Sequence, residues 1–174
     1  MIVKSFVELD DYEIDFVNQI FFESSTVSHF KNIKDREDFQ YKYLDFYKIY
    51  YPRFFFVLCD DKPLGYICGV PELLKVKKLF ELSPHLHAFK ELYKEFSAHL
   101  HINMSAESRG RGHGQLLINE FVKAIEKSGQ KGVHIITNPT AKNVSFYEKC
   151  GFDFQQKNEY KDSPLLFMGK HLKS

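Results

Sequence analysis

The chain has 174 residues, 44% hydrophobic and 27% charged, which suits one well-buried core and is short for two. A net charge of +1 supplies no general attraction to nucleic acid or anionic lipid, so any anion site has to be local. The opening "MIVKSFVELDDYEIDF" places Lys4, Glu8, Asp10 and Asp11 where a signal peptide needs an apolar core, and no later stretch reaches spanning length. The expectation is a cytoplasmic protein without a membrane partner. Cys59, Cys68 and Cys150 are an odd, widely spaced set lacking a CxxC pair, which fits buried free thiols in a reducing compartment.

No repeat, low-complexity tract or Pro/Gly/Ser linker divides the chain, so a single domain over residues 1–174 is expected. "IVKSFVEL" reads as a short strand. "DDYEIDFVNQIFFESS" reads as a helix, with Ile14, Val17 and Phe21 at helical spacing and Asp10 or Asp11 as cap. In "REDFQYKYLDFYKIYY", Phe39, Tyr43, Phe46 and Tyr50 recur at three and four, predicting a second helix that Pro52 ends. "RFFFVLCD" and "LGYICGV" flank the polar turn "DKP" and predict an antiparallel hairpin. "PELLKVKKLFELSPHLHAFKELYKEF" is helical in composition but interrupted at Ser83-Pro84, giving two short helices or a helix and a loop.

"SAHLHINMS", residues 97–105, is strand-like, and "SRGRGHGQLL", residues 108–117, joins it to a helix over residues 112–128. That helix carries Leu117, Phe121 and Ile125, flanked by Ile118 and Val122, on one face. Glu120, Lys123, Glu126 and Lys127 occupy the other, and Gly129 stops it. "KGVHIITN" follows as a strand, "TAKNVSFYEKC" as a short helix closed by Gly151, and "SPLLFMGKHL" as a last strand. The alternation predicts an α/β sheet with at least one parallel crossover.

The glycines at 110, 112 and 114 sit where a helix begins. There the first backbone N–H groups lack intrahelical partners and the aligned peptide dipoles leave partial positive charge. Phosphate oxygens can approach those groups when side chains are absent and the backbone takes unusual dihedrals. Arg109 and Arg111 add mobile charge. Residues 109–115 therefore read as a pyrophosphate cradle. A Walker loop would need Lys-Ser or Lys-Thr after the last glycine, where His113-Gly114-Gln115 stands, and a dinucleotide fingerprint would space its glycines GxGxxG rather than GxGxG.

This stretch, Arg109-Gly110-Arg111-Gly112-His113-Gly114, resembles the acyl-coenzyme A loop of the GNAT superfamily of N-acetyltransferases, Gln/Arg-x-x-Gly-x-Gly/Ala. About thirty residues on, "NVSFYEKCGF" is similar to the superfamily's later segment, Asn-x-x-Phe/Leu-Tyr-x-x-x-Gly-Phe, with the strand "GVHIITN" before it. Upstream, "FSAHLHINMSAESRGRGHG" resembles a bacterial GNAT subgroup with a His-Leu-His strand before the loop. The likeness is specific over the C-terminal half, whereas the N-terminal half fits by element order. It implies an α/β (mixed α+β) GNAT-like acyl-CoA N-acyltransferase fold. Its central sheet would be mixed, mostly antiparallel, splayed at the cofactor site and flanked by helices.

Carried over by position, the resemblance implies that Arg109, Gly110, Arg111, Gly112, His113, Gly114 and Gln115 hold the pyrophosphate of acetyl-CoA. It implies that the backbone near Met104 pairs with the pantetheine arm, that Asn143 lies near that arm, and that Tyr147 protonates the departing thiolate. The chemistry is apt: a thiolate of conjugate-acid pKa about 8.5 can take a proton from a phenol of about 10 that is still protonated at neutral pH. A backbone N–H near Met104 could polarise the thioester carbonyl. Many members use a glutamate on the strand before the loop as base, yet Ala98 stands near that place. On a strand His99, His101 and Asn103 share one face, and His101 is the candidate base, against internal hydrogen bonding as the plain structural role. Glu107, in the loop, reads as solvated or capping.

The pairs "PHLHAF" and "AHLHIN" raise a zinc site, but one lies in a helical region where i and i+2 diverge, with no cysteine or carboxylate to complete it, so no metal is expected. A single Arg-Gly-Arg-Gly copy on a near-neutral chain argues against RNA as partner. Tyr147 as a plain core aromatic is the other reading of that residue. The expected activity is transfer of acetyl from acetyl-CoA to a primary amine of a small molecule or peptide. A non-catalytic acyl-CoA-binding sensor or scaffold is the alternative, and a last strand able to pair between subunits leaves a homodimer open.

Overall fold

Asp10 starts the first helix by a reciprocal cap. Its carboxylate accepts from the Glu13 amide at 2.8 Å, and the Glu13 carboxylate accepts from the Asp10 amide at 3.1 Å. Glu13 also pairs with Lys4 from the strand before it. This junction belongs to a computed structural model that describes residues 1–27 and 29–173. By its contacts the chain falls into two compact units, Met1–Gly69 with His101–Lys123, and Val70–Leu100 with Ala124–Ser174.

In the first unit, β1 (Ile2–Ser5) runs antiparallel to β2 (Phe55–Cys59), which runs antiparallel to β3 (Pro63–Val70), with Val3 opposite Leu58 and Val57 opposite Tyr66. Helix α1 (Asp11–Ser24) buries Val17, Ile20 and Phe21. Residues 33–50 are helical throughout, but α2 (Ile33–Gln40) and α3 (Phe46–Tyr50) are joined by a π-helical turn, Tyr41–Asp45. That wider turn retards the helix by about one residue. The apolar face expected at Phe39, Tyr43, Phe46 and Tyr50 consequently shifts: Tyr47 is 1% exposed, whereas Tyr50 is 58% exposed.

In the second unit, α4 (Lys77–Leu82) ends at the interruption at Ser83-Pro84 and is followed by 3₁₀ turns over Pro84–Lys94 that are themselves kinked at Phe89. β4 (Ala98–Met104) starts in this unit and ends in the first. Its start pairs in parallel with β5 (Gly132–Thr137), Ala98 opposite Val133 and His99 opposite His134. β5 is antiparallel to β7 (Ser163–His171), which closes a hairpin with β6 (Phe154–Tyr160). α6 (Val144–Lys149) lies between β5 and β6 in the chain. α5 (His113–Lys127) buries Leu117, Ile118, Phe121 and Ile125, the face its spacing predicts.

The hydrogen-bonded strand order is β1-β2-β3-β4-β5-β7-β6, a mixed and mostly antiparallel open sheet with helices between its strands. The one strand not anticipated is β6. Lys161 and Asp162, both with positive φ, form the tight turn that joins it to β7. Among the described residues no helix is long and apolar enough to cross a membrane.

Candidate acyl-coenzyme A site

The segment leaving β4 is pinned before it reaches the glycines. Ser105 donates its amide to the Leu64 carbonyl at 2.9 Å, Ser108 donates its hydroxyl to the same carbonyl at 2.7 Å, and the two serine hydroxyls lie 2.8 Å apart. Beyond Ser108 the side chains turn outward: Arg109, Arg111 and Gln115 are exposed. Gly110 and Gly112 have φ of +73° and +77°, the left-handed region that a side chain disfavours. A Cβ built on either would meet nothing within 4 Å. Packing does not demand glycine at these two positions; the backbone conformation does, and it leaves open space over the main chain.

That space lies where the 15-residue helix α5 begins, at the positive end of its dipole. His113 opens the helix, and its Nδ1 is buried without a hydrogen-bond partner among the described residues. A glycine-lined turn at the positive end of a helix and a ring nitrogen without a hydrogen-bond partner among the described residues suit a diphosphate group chemically.

Arg109 is less mobile than its exposure suggests. Its Nε donates to the Met104 carbonyl at 3.1 Å and its guanidinium to Ser24 Oγ at 3.3 Å, while Ser24 donates to the same carbonyl at 3.3 Å. The arginine thus ties the end of β4 to the end of α1, which sequence spacing gave no means to foresee. Glu107 forms an exposed ion pair with Lys62 at 2.7 Å, in keeping with a solvated role.

Three polar side chains alternate along β4, and each has a different partner. His99 Nδ1 lies 3.1 Å from His134 Nε2, and His134 Nδ1 lies 2.6 Å from the Phe96 carbonyl. His101 Nε2 lies 3.0 Å from the Tyr47 hydroxyl, with the edges of Tyr43 and Tyr47 against its ring. Asn103 donates to the Tyr66 hydroxyl at 2.7 Å. Burial pushes the Tyr47 and Tyr66 phenols well above their ordinary range, so both remain protonated. The sequence signalled the histidines but not their partners Tyr47 and His134; the π-helical turn and the β4–β5 register supply those.

In the second unit, Asn143 sits exposed at the start of α6, accepting from the Thr137 hydroxyl at 3.1 Å. One turn on, Tyr147 is 6% exposed and packs its ring edge against Phe152. Burial raises its phenol pKa. The three thiols are buried and free, and burial pushes Cys59 up to about 11, which suits none of them to nucleophilic work. Among the described residues no three His, Cys, Asp or Glu side chains gather to hold a metal ion.

The mixed, mostly antiparallel sheet, one strand of which runs through a glycine turn into a helix, is the scaffold of an acyltransferase. The chain matches the model of the acetyltransferase (GNAT) family over residues 15–152, and it belongs to that family. Among solved structures, it superposes on SsHAT with a TM-score of 0.74 at 18% identity, covering 99% of this chain and 98% of that one. PH1933 from Pyrococcus horikoshii OT3 gives 0.69 at 14% identity with 99% of each chain covered. An aminoglycoside 6'-N-acetyltransferase complexed with coenzyme A gives 0.64 at 14% identity, covering 100% of this chain and 98% of that one. These likenesses show the fold. Among curated proteins, none matches this chain.

Proposed function

We propose that the protein is an acetyl-CoA-dependent N-acetyltransferase that passes an acetyl group directly to a primary amine of a small molecule or peptide, working in the cytoplasm as one domain over residues 1–174. The observation that carries the reading is the pair of left-handed glycines, Gly110 and Gly112, with open space over their Cα atoms at the mouth of α5. In this reading the main chain from Arg109 to Gln115 grips the pyrophosphate, with Gly114 and His113 in the first turn of the helix. The backbone near Met104 aligns the pantetheine arm, which Asn143 also meets.

Chemistry then needs two proton movements. The attacking ammonium loses a proton to His101, freeing its lone pair for the thioester carbonyl, and Tyr147 gives its phenolic proton to the departing thiolate. Burial keeps the Tyr147 proton in place at neutral pH but also makes the phenol a weaker acid, so the role rests on proximity to the departing thiolate rather than on acid strength. The remaining rate comes from holding amine and thioester together in one complex. No step calls for a metal. The last strand, β7, is hydrogen-bonded on both edges, to β5 and to β6, so it has no edge left to pair between subunits, and a homodimer would have to use another surface.

The test is release of free coenzyme A thiol from acetyl-CoA over a panel of amines, alongside direct measurement of cofactor binding. Release with at least one amine supports the reading. Binding without release for any amine favours a sensor or scaffold, and absence of binding removes both.

A further inference from the structure

Four partly exposed aromatic rings form a row in the first unit. Phe22, near the end of α1, lies 6.1 Å from Phe30, Phe30 lies 5.4 Å from Phe39 in α2, and Phe39 lies 5.0 Å from Tyr43, all between ring centroids. Tyr43 ends the row against the His101 ring, at 5.9 Å. The chain's own cations sit on both end rings. The Arg36 guanidinium lies 3.8 Å from the Phe22 centroid and the Lys42 ammonium 4.7 Å from that of Tyr43. Among the described residues neither cation has an ion-pair partner, so ring faces rather than carboxylates hold them.

The surroundings are acidic. Residues 10–50 carry nine Asp and Glu against five Lys and Arg, on a chain whose net charge is +1. Two of those five are spent, Lys34 on Asp38 and Lys48 on Asp45, and α1 carries Asp11, Asp15 and Glu23 without an ion-pair partner among the described residues. Such a field gathers cations, and the row supplies faces to receive them. We propose that the row from Phe22 to Tyr43 is the subsite for the acceptor, and that the acceptor is a flexible dication. One ammonium passes over Tyr43 to His101 while the second rests on Phe22, taking the places that Lys42 and Arg36 fill in the free protein.

The inference rests on the reading of the protein as an amine acetyltransferase, and it names the substrate class. Ser24, two residues beyond Phe22, donates to the carbonyl of Met104, whose backbone is assigned to the pantetheine arm. One end of the row thus borders the cofactor and the other the candidate base. The reaction is unchanged: an N–C bond forms as the thioester C–S bond breaks, coenzyme A leaves as the thiol, one proton is released, and the second cation stays as it was. Anchoring α2, which buries no residue of its own, would account for the rings. It does not account for two cations that choose rings in a region rich in carboxylates.

The experiment compares unbranched terminal diamines with monoamines of matched chain length. Each is titrated calorimetrically into the protein loaded with coenzyme A, and each is assayed for kcat and KM with acetyl-CoA. Diamines should bind more tightly than their monoamines, and added salt should weaken that preference. Phe22→Leu should shrink the preference roughly two- to fivefold, the scale of one cation–π contact near the surface, and the change should fall on KM rather than kcat. Arg36→Ala, at an exposed position, should enlarge it by about the same factor, because it vacates the Phe22 face. Equal binding of diamines and monoamines overturns the proposal. So does a preference that Arg36→Ala leaves unmoved, even where Phe22→Leu does not fold. If the preference responds to these variants but no amine is acetylated, the cation subsite stands and the acetyltransferase reading falls; acetylation without a diamine preference has the reverse meaning.

Discussion

His99 Nδ1 lies 3.1 Å from His134 Nε2, and with His134 neutral the hydrogen between them belongs to His99, a direction set from the far end of the chain of contacts. The Phe96 carbonyl can only accept, so His134 carries its hydrogen on Nδ1 and presents a lone pair at Nε2. Tyr93 and Phe167 stack on the His134 ring with centroids 4.8 Å away, holding its plane. Replacing His134 by Phe keeps a ring against those two aromatics but removes the acceptor of His99 and the donor to Phe96. The expected loss is about 2–3 kcal/mol, the scale of two broken buried hydrogen bonds. Urea unfolding midpoints check it; a change below about 0.5 kcal/mol would mean that the contact holds nothing together.

How much of this was legible in the sequence depends on which residues carried a period. α1 and α5 could be read because Ile14, Val17 and Phe21, or Leu117, Phe121 and Ile125, repeat at helical spacing and because Asp10 and Gly129 mark ends. β6 could not: its residues Gln155 to Glu159 are all exposed, so no alternation exists to detect, and Lys161-Asp162 is not a strong turn pair. The shifted face after Tyr43 was illegible for a different reason, since a π-helical turn adds a residue without altering composition. At the site, the glycines announced a backbone conformation, whereas the Tyr47, His134 and Ser24 contacts with His101, His99 and Arg109 join residues far apart in the chain.

Gly112 offers a separation of folding from binding. Its φ of +77° makes any side chain strained, at about 1–2 kcal/mol, while the space around it admits a Cβ without collision. Gly112→Ala should therefore fold with a modest stability loss and bind acetyl-CoA at least tenfold more weakly, because the added carbon stands where the diphosphate would approach. Calorimetric titration with coenzyme A, beside a melting curve, measures both. Unchanged affinity in a folded Gly112→Ala protein would place the diphosphate elsewhere.

The cap at Asp10 and Glu13 predicts a pH dependence. The Lys4 contact lowers the Glu13 carboxyl pKa and raises that of the Lys4 ammonium. A lowered carboxyl contributes stability above its ordinary value of about 4.3, and that contribution is lost as pH falls through the lower folded value. The raised ammonium contributes below its ordinary value of about 10.4 and is lost as pH rises through the higher folded one. Glu13→Gln should thus destabilise the protein at pH 7 and converge with the wild type as the pH falls through the lowered folded value of Glu13. Asp10→Ala, which removes the cap itself, should cost about 1 kcal/mol. Denaturant unfolding followed from pH 7 into acid reads these differences, and a Glu13→Gln deficit independent of pH would show that the carboxylate charge is not what matters.

Tyr147 combines a packing role with the proposed acid role, and the hydroxyl alone distinguishes them. Its ring edge meets Phe152 at 5.5 Å between centroids, a contact that Tyr147→Phe preserves. Loss of a general acid lowers turnover by roughly 10²–10⁴-fold, whereas the ring's packing leaves acetyl-CoA affinity close to that of the wild type. Because burial raises the phenol pKa, Tyr147 keeps its proton through mildly alkaline solution, so kcat should show no alkaline limb there that vanishes in the variant. Steady-state thiol release as a function of pH, with any amine that the panel identifies, supplies all three quantities. Equal kcat in wild type and Tyr147→Phe would return this tyrosine to the core and leave the thiolate to depart without a protein acid.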